Sequence, residues 1–303
     1  MLSPECIQNL VFSGGGVRGY SYVGVLKELV WRGVRLERLR GCGGTSMGAL
    51  LALLVVCGWQ AADLETELLD VQLHTKLSIG LSTLYYKFGL DDGITLRSYL
   101  QELVRRTYTG TLTFRELAAH TQKRLLMVGT DLNTNSEVVF SAEATPDMNV
   151  IDACYMSMTV PSLFAPLMHN GHLIVDGGIK NNFPLKYFPP ESTLGVRVTW
   201  GHAAALGSAD QVLARVVYCM LTDAESAQWT ALPSSYKDNT ISVEVGDLST
   251  IELRLTPEHK RLIIHRGQWA VRRAFLQCTR VKQQAENMVG LAYMKCLYEI
   301  SNP

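Results

Sequence analysis

The chain has 303 residues, 47% of them hydrophobic and 18% charged, and its 28 basic side chains balance 28 acidic ones to a formal net charge of zero. This composition suits a folded α/β unit with a sizeable core and excludes a disordered or fibrous chain; without net charge there is no global pull on nucleic acid, which is not an expected partner. The seven cysteines are odd in number and lack the close spacing of zinc or redox motifs, so reduced thiols are expected. Residues Met1 to Cys6 carry neither a basic stretch nor an apolar run, so no signal peptide is expected. The longest apolar run, Ala49 to Cys57, falls far short of the roughly 20 residues that span a bilayer and reads as a buried helix. A cytoplasmic location follows as the expectation, with peripheral contact at membranes left open.

Ile7 to Phe12 reads as a short buried strand running into Ser13-Gly14-Gly15-Gly16-Val17-Arg18-Gly19. A helix follows in which Val23, Leu26 and Val30 recur at helical spacing, ending near Gly33. A second strand, around Leu39 to Cys42, leads into Gly43-Gly44-Thr45-Ser46-Met47-Gly48 and the apolar helix. Strand, glycine turn and helix thus occur twice in succession, the pattern of a mostly parallel sheet covered by helices. Ala61 to Leu73 and Leu96 to Arg106 read as helices, and Thr113 with Glu116 has capping-box spacing at the start of another. Strands are expected at Leu125 to Val128, Val138 to Phe140, Leu173 to Val175 and Leu194 to Val198. Thr145-Pro146-Asp147 reads as a helix start leading to Val150 through Met158, and Thr256-Pro257-Glu258 as another. The latter helix carries an apolar stripe of Val271, Ala274, Phe275, Cys278 and Val281. No repeat, low-complexity segment or linker interrupts the chain, so a single compact domain is expected.

Three pieces carry chemistry. Gly44-Thr45-Ser46-Met47-Gly48 is a G-x-S-x-G between a strand and a helix, where a serine nucleophile sits on a sharp, strained turn and the helix N-terminus faces a developing oxyanion. Gly14 to Gly19 is literally G-x-G-x-x-G, yet the second strand ends at Ser46 instead of at the acidic residue a dinucleotide fold needs. The same bare amides serve as an oxyanion hole, beside which Arg18 either orients the loop or makes a surface salt bridge. Asp176-Gly177-Gly178 closes a short hydrophobic strand; alone it is an ordinary turn, and its weight comes from combination with the other two pieces.

Taken together, G-G-G-x-R-G, G-T-S-M-G and D-G-G, in this order and approximate spacing, resemble the patatin-like phospholipases. Ser157-Met158-Thr159-Val160-Pro161 with Phe164 and Pro166 is similar to the family's S-x-A-x-P-x-x-F-x-P segment, with Thr159 in place of alanine. Asn182 and Pro184 match its D-G-G-x-x-x-N-x-P continuation. The resemblance runs from about Ile7 to Val198, with a weaker echo after Thr256. It implies a three-layer α/β/α fold, with residues 7–200 as the catalytic core and 201–303 packed on the same globular unit. It further implies a Ser46–Asp176 dyad, an oxyanion hole of Gly14, Gly15, Gly16 and Met47, and support from Arg18, Gly19, Gly44, Gly48, Gly177 and Gly178. The implied activity is hydrolysis of fatty acyl esters of lipid or phospholipid without a metal or cofactor. A small-ester hydrolase or thioesterase on the same dyad, or a catalytically silent interaction module, are the alternatives.

Histidine is the usual partner of a serine nucleophile. His202 and His172 are the candidates by interval and strand face, but Ser46 follows only two strands, too early for an ordinary α/β-hydrolase. His74, His120, His169, His259 and His265 lie outside every motif. With Asp176 as the only base, burial must raise its pKa above the ordinary ~3.9 for it to work near neutrality. Leu77, Ile79, Leu81, Leu84, Tyr85, Tyr86 and Phe88 form an apolar stretch for which core packing is the expected role, an acyl channel or membrane contact the functional ones.

Overall fold

Leu10 and Phe12 belong to one hydrophobic cluster and Val11 to a second, the period-two alternation of a strand buried on both faces. The computed structural model describes residues 1–72, 75, 80–110, 112–199, 219, 225–246 and 255–278. In chain order the strands are β1 (Asn9–Phe12), β2 (Gly41–Thr45), β3 (Gly89–Asp91), β4 (Arg124–Asp131), β5 (Ser136–Ser141), β6 (Ser162–Phe164), β7 (Leu167–His169), β8 (His172–Asp176), β9 (Thr193–Thr199) and β10 (Thr240–Glu244). The labelled helices are α1 (Tyr20–Trp31), α2 (Met47–Val56), α3 (Ala61–Asp70), α4 (Leu81–Lys87), α5 (Ile94–Arg105), α6 (Phe114–Thr121), α7 (Val150–Met158) and α8 (Gly178–Asn181). Residues 225–231 and 257–278 are also helical.

The main sheet has eight strands. β10, β9, β1, β2 and β4 run parallel, whereas β5 and β8 pair with β4 antiparallel and β7 follows β8. Helices cover both faces. Residues of α1, α2, α5, α7 and helix 257–278 join Leu10, Phe12, Leu125 and Met127 in the larger cluster. Val11, Leu126 and Val128 face Phe183, Leu185 and Phe188, with Trp229 and Leu232 packed against them. This is the expected α/β/α layering around a mostly parallel sheet. All ten residues of α2 are buried, which accounts for an apolar run without polar alternation.

Helix 257–278 is tied to the front of the chain. Lys260 is buried and donates to the carbonyl oxygens of Leu69, at 3.0 Å, and Val71, just past the end of α3. Arg272 donates to Glu28 of α1 at 2.9 Å. Of its expected stripe, Val271 is fully buried, Ala274 and Phe275 pack against the core, and Val281 lies outside the described residues.

Several local readings need correction. The strand expected at Leu39 to Cys42 is β2, Gly41–Thr45, which takes in Gly43, Gly44 and Thr45 from the expected turn; at Gly43 a Cβ would lie 2.6 Å from the Phe188 ring, so the sheet itself demands glycine there. The helix expected to start at Pro146 instead starts after Asn149, whose side chain accepts the Ile151 N–H at 2.8 Å. The helix expected to reach Leu73 ends at Asp70, and Leu73 lies outside the described residues. Thr113 caps α6 as its spacing with Glu116 predicts. The apolar stretch around residue 84 forms α4 and leaves its aromatics in solvent: Tyr85 is 79% exposed, Tyr86 77% and Phe88 63%, which overturns core packing for these three. Leu77, Ile79 and the Leu81 side chain lie outside the described residues. None of the six cysteines among the described residues forms a disulfide. No described helix is long and apolar enough to cross a membrane.

Candidate active site

β2 pairs with β4 as far as Thr45, opposite Val128, and the next residue, Ser46, turns sharply with φ 55° and ψ −125°. A non-glycine residue at positive φ stores strain of about 1–3 kcal/mol and persists only where its surroundings hold it. Two glycines make the turn possible. A Cβ on Gly44 would lie 2.3 Å from the Gly48 carbonyl, and one on Gly48 would lie 2.5 Å from the backbone oxygens of Phe12 and Ser13. Ser157, on α7, holds the turn: its hydroxyl accepts the Ser46 N–H at 2.9 Å and donates to the Val128 carbonyl at 2.6 Å. The sequence marks Ser157 only as the first residue of a segment that matches the family, and nothing local to it signals this positioning role. Thr159, the departure from the family's alanine, is buried with its hydroxyl turned back onto the Tyr155 carbonyl at 2.8 Å, so the extra oxygen is satisfied locally.

Asp176 reaches Ser46 through β4. One edge of β4 is bonded to β5 along Leu126–Asp131, so β2 and β8 share the other. β2 occupies that edge up to Val128, and β8, running the opposite way, ends with Asp176 opposite Gly129. The C-terminal ends of two strands therefore meet head to head, bringing the Ser46 hydroxyl near enough to Asp176 to pull the pKa of its carboxyl down. The Asp176 backbone is pinned by its N–H on the Thr159 carbonyl at 2.8 Å and by the Thr130 hydroxyl on its own carbonyl at 2.9 Å. Its carboxylate also accepts the Gly178 N–H at 2.8 Å. Gly177 leaves room for the turn, because a Cβ there would strike the Val128 carbonyl oxygen at 2.2 Å. Ser46 is 8% exposed and Asp176 3%. Burial pushes the Asp176 carboxyl up to about 6, against the opposing pull of the Gly178 N–H and the Ser46 hydroxyl.

The glycine loop ends β1, the parallel neighbour of β2, with Phe12 opposite Gly44. Its first amide is already committed: the Gly14 N–H donates to the Asn182 carbonyl at 3.0 Å, so it does not join the oxyanion donors expected of it. Among the described residues no acceptor takes the N–H groups of Gly15, Gly16 or Met47. Gly14 must stay bare for another reason, since a Cβ there would meet the Asn182 side chain at 2.2 Å and the Ser46 Cβ at 3.4 Å. Gly19 abuts Met47, whose Cγ would lie 2.1 Å from an added Cβ. Arg18 is 1% exposed, drawn inward by the 3-10 turn Gly16–Gly19, which excludes the surface salt bridge.

His172 lies at the far end of β8 from Asp176, about 13 Å away at strand rise, with Nδ1 2.6 Å from the Asp131 carboxylate. His120, His259 and His265 are exposed, and His169 packs edge-on to Phe140. His74 and His202 lie outside the described residues. Among the described residues no histidine bonds Ser46 or Asp176, and no cluster of His, Cys, Asp or Glu is arranged to hold a metal.

Known proteins are similar to this chain in sequence and in fold. The chain is 24% identical over 289 residues to an uncharacterized protein of Acanthamoeba polyphaga mimivirus, covering 91% of this chain and 96% of that one. It is 28% identical over 190 residues to a probable lipid hydrolase of Invertebrate iridescent virus 6, covering 61% of this chain and 64% of that one. In fold it is similar to VipD from Legionella pneumophila, with a TM-score of 0.64 at 20% identity over 88% of this chain and 66% of that one. Residues 10–189, which hold both glycine motifs and Asp176, match the family described as patatin-like phospholipase; the chain belongs to that family and is a hydrolase of carboxylic ester bonds.

Proposed function

We propose that the protein hydrolyses fatty acyl esters of phospholipids or lysophospholipids, with Ser46 as nucleophile, Asp176 as the only side-chain base and an acyl-enzyme between two half-reactions. The observation that carries this reading is Ser46 set beside the buried Asp176 carboxyl where β2 and β8 meet, with burial raising that carboxyl to about 6, where it is both ionised at neutral pH and basic enough to accept a proton. Ser46 Oγ attacks the ester carbonyl carbon as its proton passes to Asp176. The oxyanion rests on the N–H groups of Gly15, Gly16 and Met47, the last at the N-terminus of α2 with its partial positive charge. Collapse breaks the ester bond, and the departing alcohol or lysolipid takes the proton from Asp176. Water then attacks the acyl-enzyme, gives a proton to Asp176, and the fatty acid leaves as Ser46 regains its hydrogen. Membership of a phospholipase family and the relative named a probable lipid hydrolase support the lipid substrate.

Product analysis of purified protein on phospholipid, lysophospholipid and acyl esters of graded chain length tests the assignment. The expected result is released fatty acid, with activity rising with acyl length and absent from Ser46→Ala. A preference for acetyl esters would point instead to a small-ester hydrolase, and no turnover at all to a silent module.

The pH dependence follows from the state Asp176 must occupy. The base is active when deprotonated, so kcat/KM on a water-soluble ester rises through an apparent pKa near 6 and is flat above it. A rate that is level from pH 5 to 7 would remove Asp176 as the base.

The exposed face of α4 provides the contact with lipid. Leu84, Tyr85, Tyr86 and Phe88 stand in solvent, and Phe88 takes a left-handed φ of 64°, an uncommon conformation for an aromatic residue. α4 leads into β3, which pairs with β6, and β6 begins just beyond Val160 and Pro161 from the residue that binds the Asp176 N–H. Aromatic side chains with an apolar body and a polar edge favour the membrane interface. Tyr85→Ser combined with Phe88→Ser is expected to weaken binding to phosphatidylcholine vesicles roughly tenfold or more, with hydrolysis of a soluble ester retained. Unchanged sedimentation with vesicles would rule out this face.

A further inference from the structure

On the face of the sheet that packs Phe183 and Trp229, a cavity of about 310 Å³ is bounded by α8, β9 and helix 225–231, and neither Ser46 nor Asp176 lines it. Its charged lining consists of Lys180, Lys186, Arg197 and Glu225. Glu225 is buried, accepts Asn182 Nδ2 at 2.8 Å, and its charge also acts on Arg197. Lys186 pairs with Glu137 at 2.5 Å. Arg197 is stacked over Trp229, its guanidinium carbon 3.9 Å from the ring centroid, with Nε on the Ser242 hydroxyl at 3.2 Å. Lys180 has no ion-pair partner among the described residues. Three cations against the two carboxylates leave one positive charge in excess.

We propose that this cavity binds a phosphate-bearing ligand and that its occupancy acts on the catalytic loop. A guanidinium whose plane is fixed by an aromatic face, together with two ammonium groups in one concavity, offers more charged donors than a carboxylate can use and matches the three oxygens of a phosphate. Phe183 and Trp229 supply an apolar wall for whatever carries the phosphate.

The route to the catalytic loop is short. Gln228, in helix 225–231, accepts the Asn182 N–H at 3.1 Å and donates to the Lys180 carbonyl, so it staples the C-terminal end of the turn that begins at Gly178. Asn182 in turn holds the Gly14 N–H on its carbonyl at 3.0 Å, and Gly178 holds the Asp176 carboxylate. A ligand that draws Lys180 and helix 225–231 together therefore pulls on the segment between the base and the glycine loop.

Calorimetric titration of the 303-residue Ser46→Ala protein, in which no heat of turnover arises, measures binding directly. Inorganic phosphate and glycerol 3-phosphate are the probes. Both are expected to bind, with Lys180→Ala and Arg197→Ala each weakening affinity about tenfold, the loss of one charge-assisted contact. Tighter binding of glycerol 3-phosphate identifies a lipid headgroup as the source, and equal affinities identify free phosphate. Should Arg197→Ala fail to fold, Lys180→Ala and Lys186→Gln carry the test. No heat with either probe, or affinities unmoved by the lysine substitutions, overturns the site.

The coupling rests on the hydrolase reading. Saturating phosphate is expected to change the wild-type kcat on a short-chain ester by about fivefold or more, and Lys180→Ala is expected to abolish that response. An unchanged kcat at saturation overturns the coupling. Absence of any wild-type turnover sinks the hydrolase reading and the coupling together, while binding is still decided by calorimetry.

Discussion

Asp176→Asn is expected to lower kcat/KM by about 10⁴-fold, the scale on which replacing a catalytic carboxylate acts in serine hydrolases, and at the same time to stabilise the fold. The amide keeps the shape of the side chain and can still accept the Gly178 N–H that the carboxylate now accepts at 2.8 Å. It cannot take the Ser46 proton. The stability effect has a defined sign. The folded carboxyl has a pKa of about 6, above its unfolded value near 3.8, so the native state binds more protons than the unfolded chain between those limits. Stability contributed by this group is therefore fully present below pH 4 and declines as pH rises toward 6. At pH 7 the buried charge costs up to about 3 kcal/mol, which the neutral amide avoids. Steady-state kinetics beside thermal unfolding at pH 5 and pH 8 would check both halves. A variant that retains more than a hundredth of wild-type activity removes Asp176 from the chemistry; a variant less stable than wild type at pH 8 contradicts the burial argument.

Gly48→Ala is the second large effect. Its Cβ would sit 2.5 Å from the carbonyl oxygens of Phe12 and Ser13, which belong to the backbone of β1 and the glycine loop and cannot rotate away as a side chain would. Relief requires α2 to withdraw by about 1 Å to reach ordinary contact, carrying Ser46 and Met47 with it. Misplacement on that scale costs about 100-fold in rate, and overpacking of this kind about 1–3 kcal/mol in stability. The expected variant is folded by circular dichroism, unfolds at lower temperature, and reacts with a fluorophosphonate about 100-fold more slowly than wild type. Reaction within threefold of wild type would mean that the close approach of elbow and loop is not required for nucleophile activation.

Much of the sheet was legible because its strands are short apolar runs. β1, β4, β5, β8 and β9 were found where Ile, Leu, Val and Phe cluster between turn residues. β2 begins two residues later than its sequence signal because glycine has low strand propensity; only the crowding of Phe188 over Gly43 explains why a strand is made of it. Pro146 carries the signal of a first helical residue, yet the cap is Asn149, since several residues after a proline can host the same polar cap. β3, β6 and β7 have three residues each, too few for any periodicity to register. α4 was apolar enough to suggest the core, and its exposure depends on what packs over it, which no local pattern encodes.

By itself the sequence determined the order of strand, glycine turn and helix, the residue types that can act as nucleophile and base, and the need for bare backbone around them. Those properties depend on neighbours along the chain. The meeting of Ser46 with Asp176 was decided by tertiary structure, because β2 and β8 divide one edge of β4 at Val128 and Gly129. So were the clamp from Ser157 and the loss of the Gly14 amide to Asn182. A backbone donor or acceptor takes whichever partner the strand register brings within reach, and that register is set by the packing of the whole sheet.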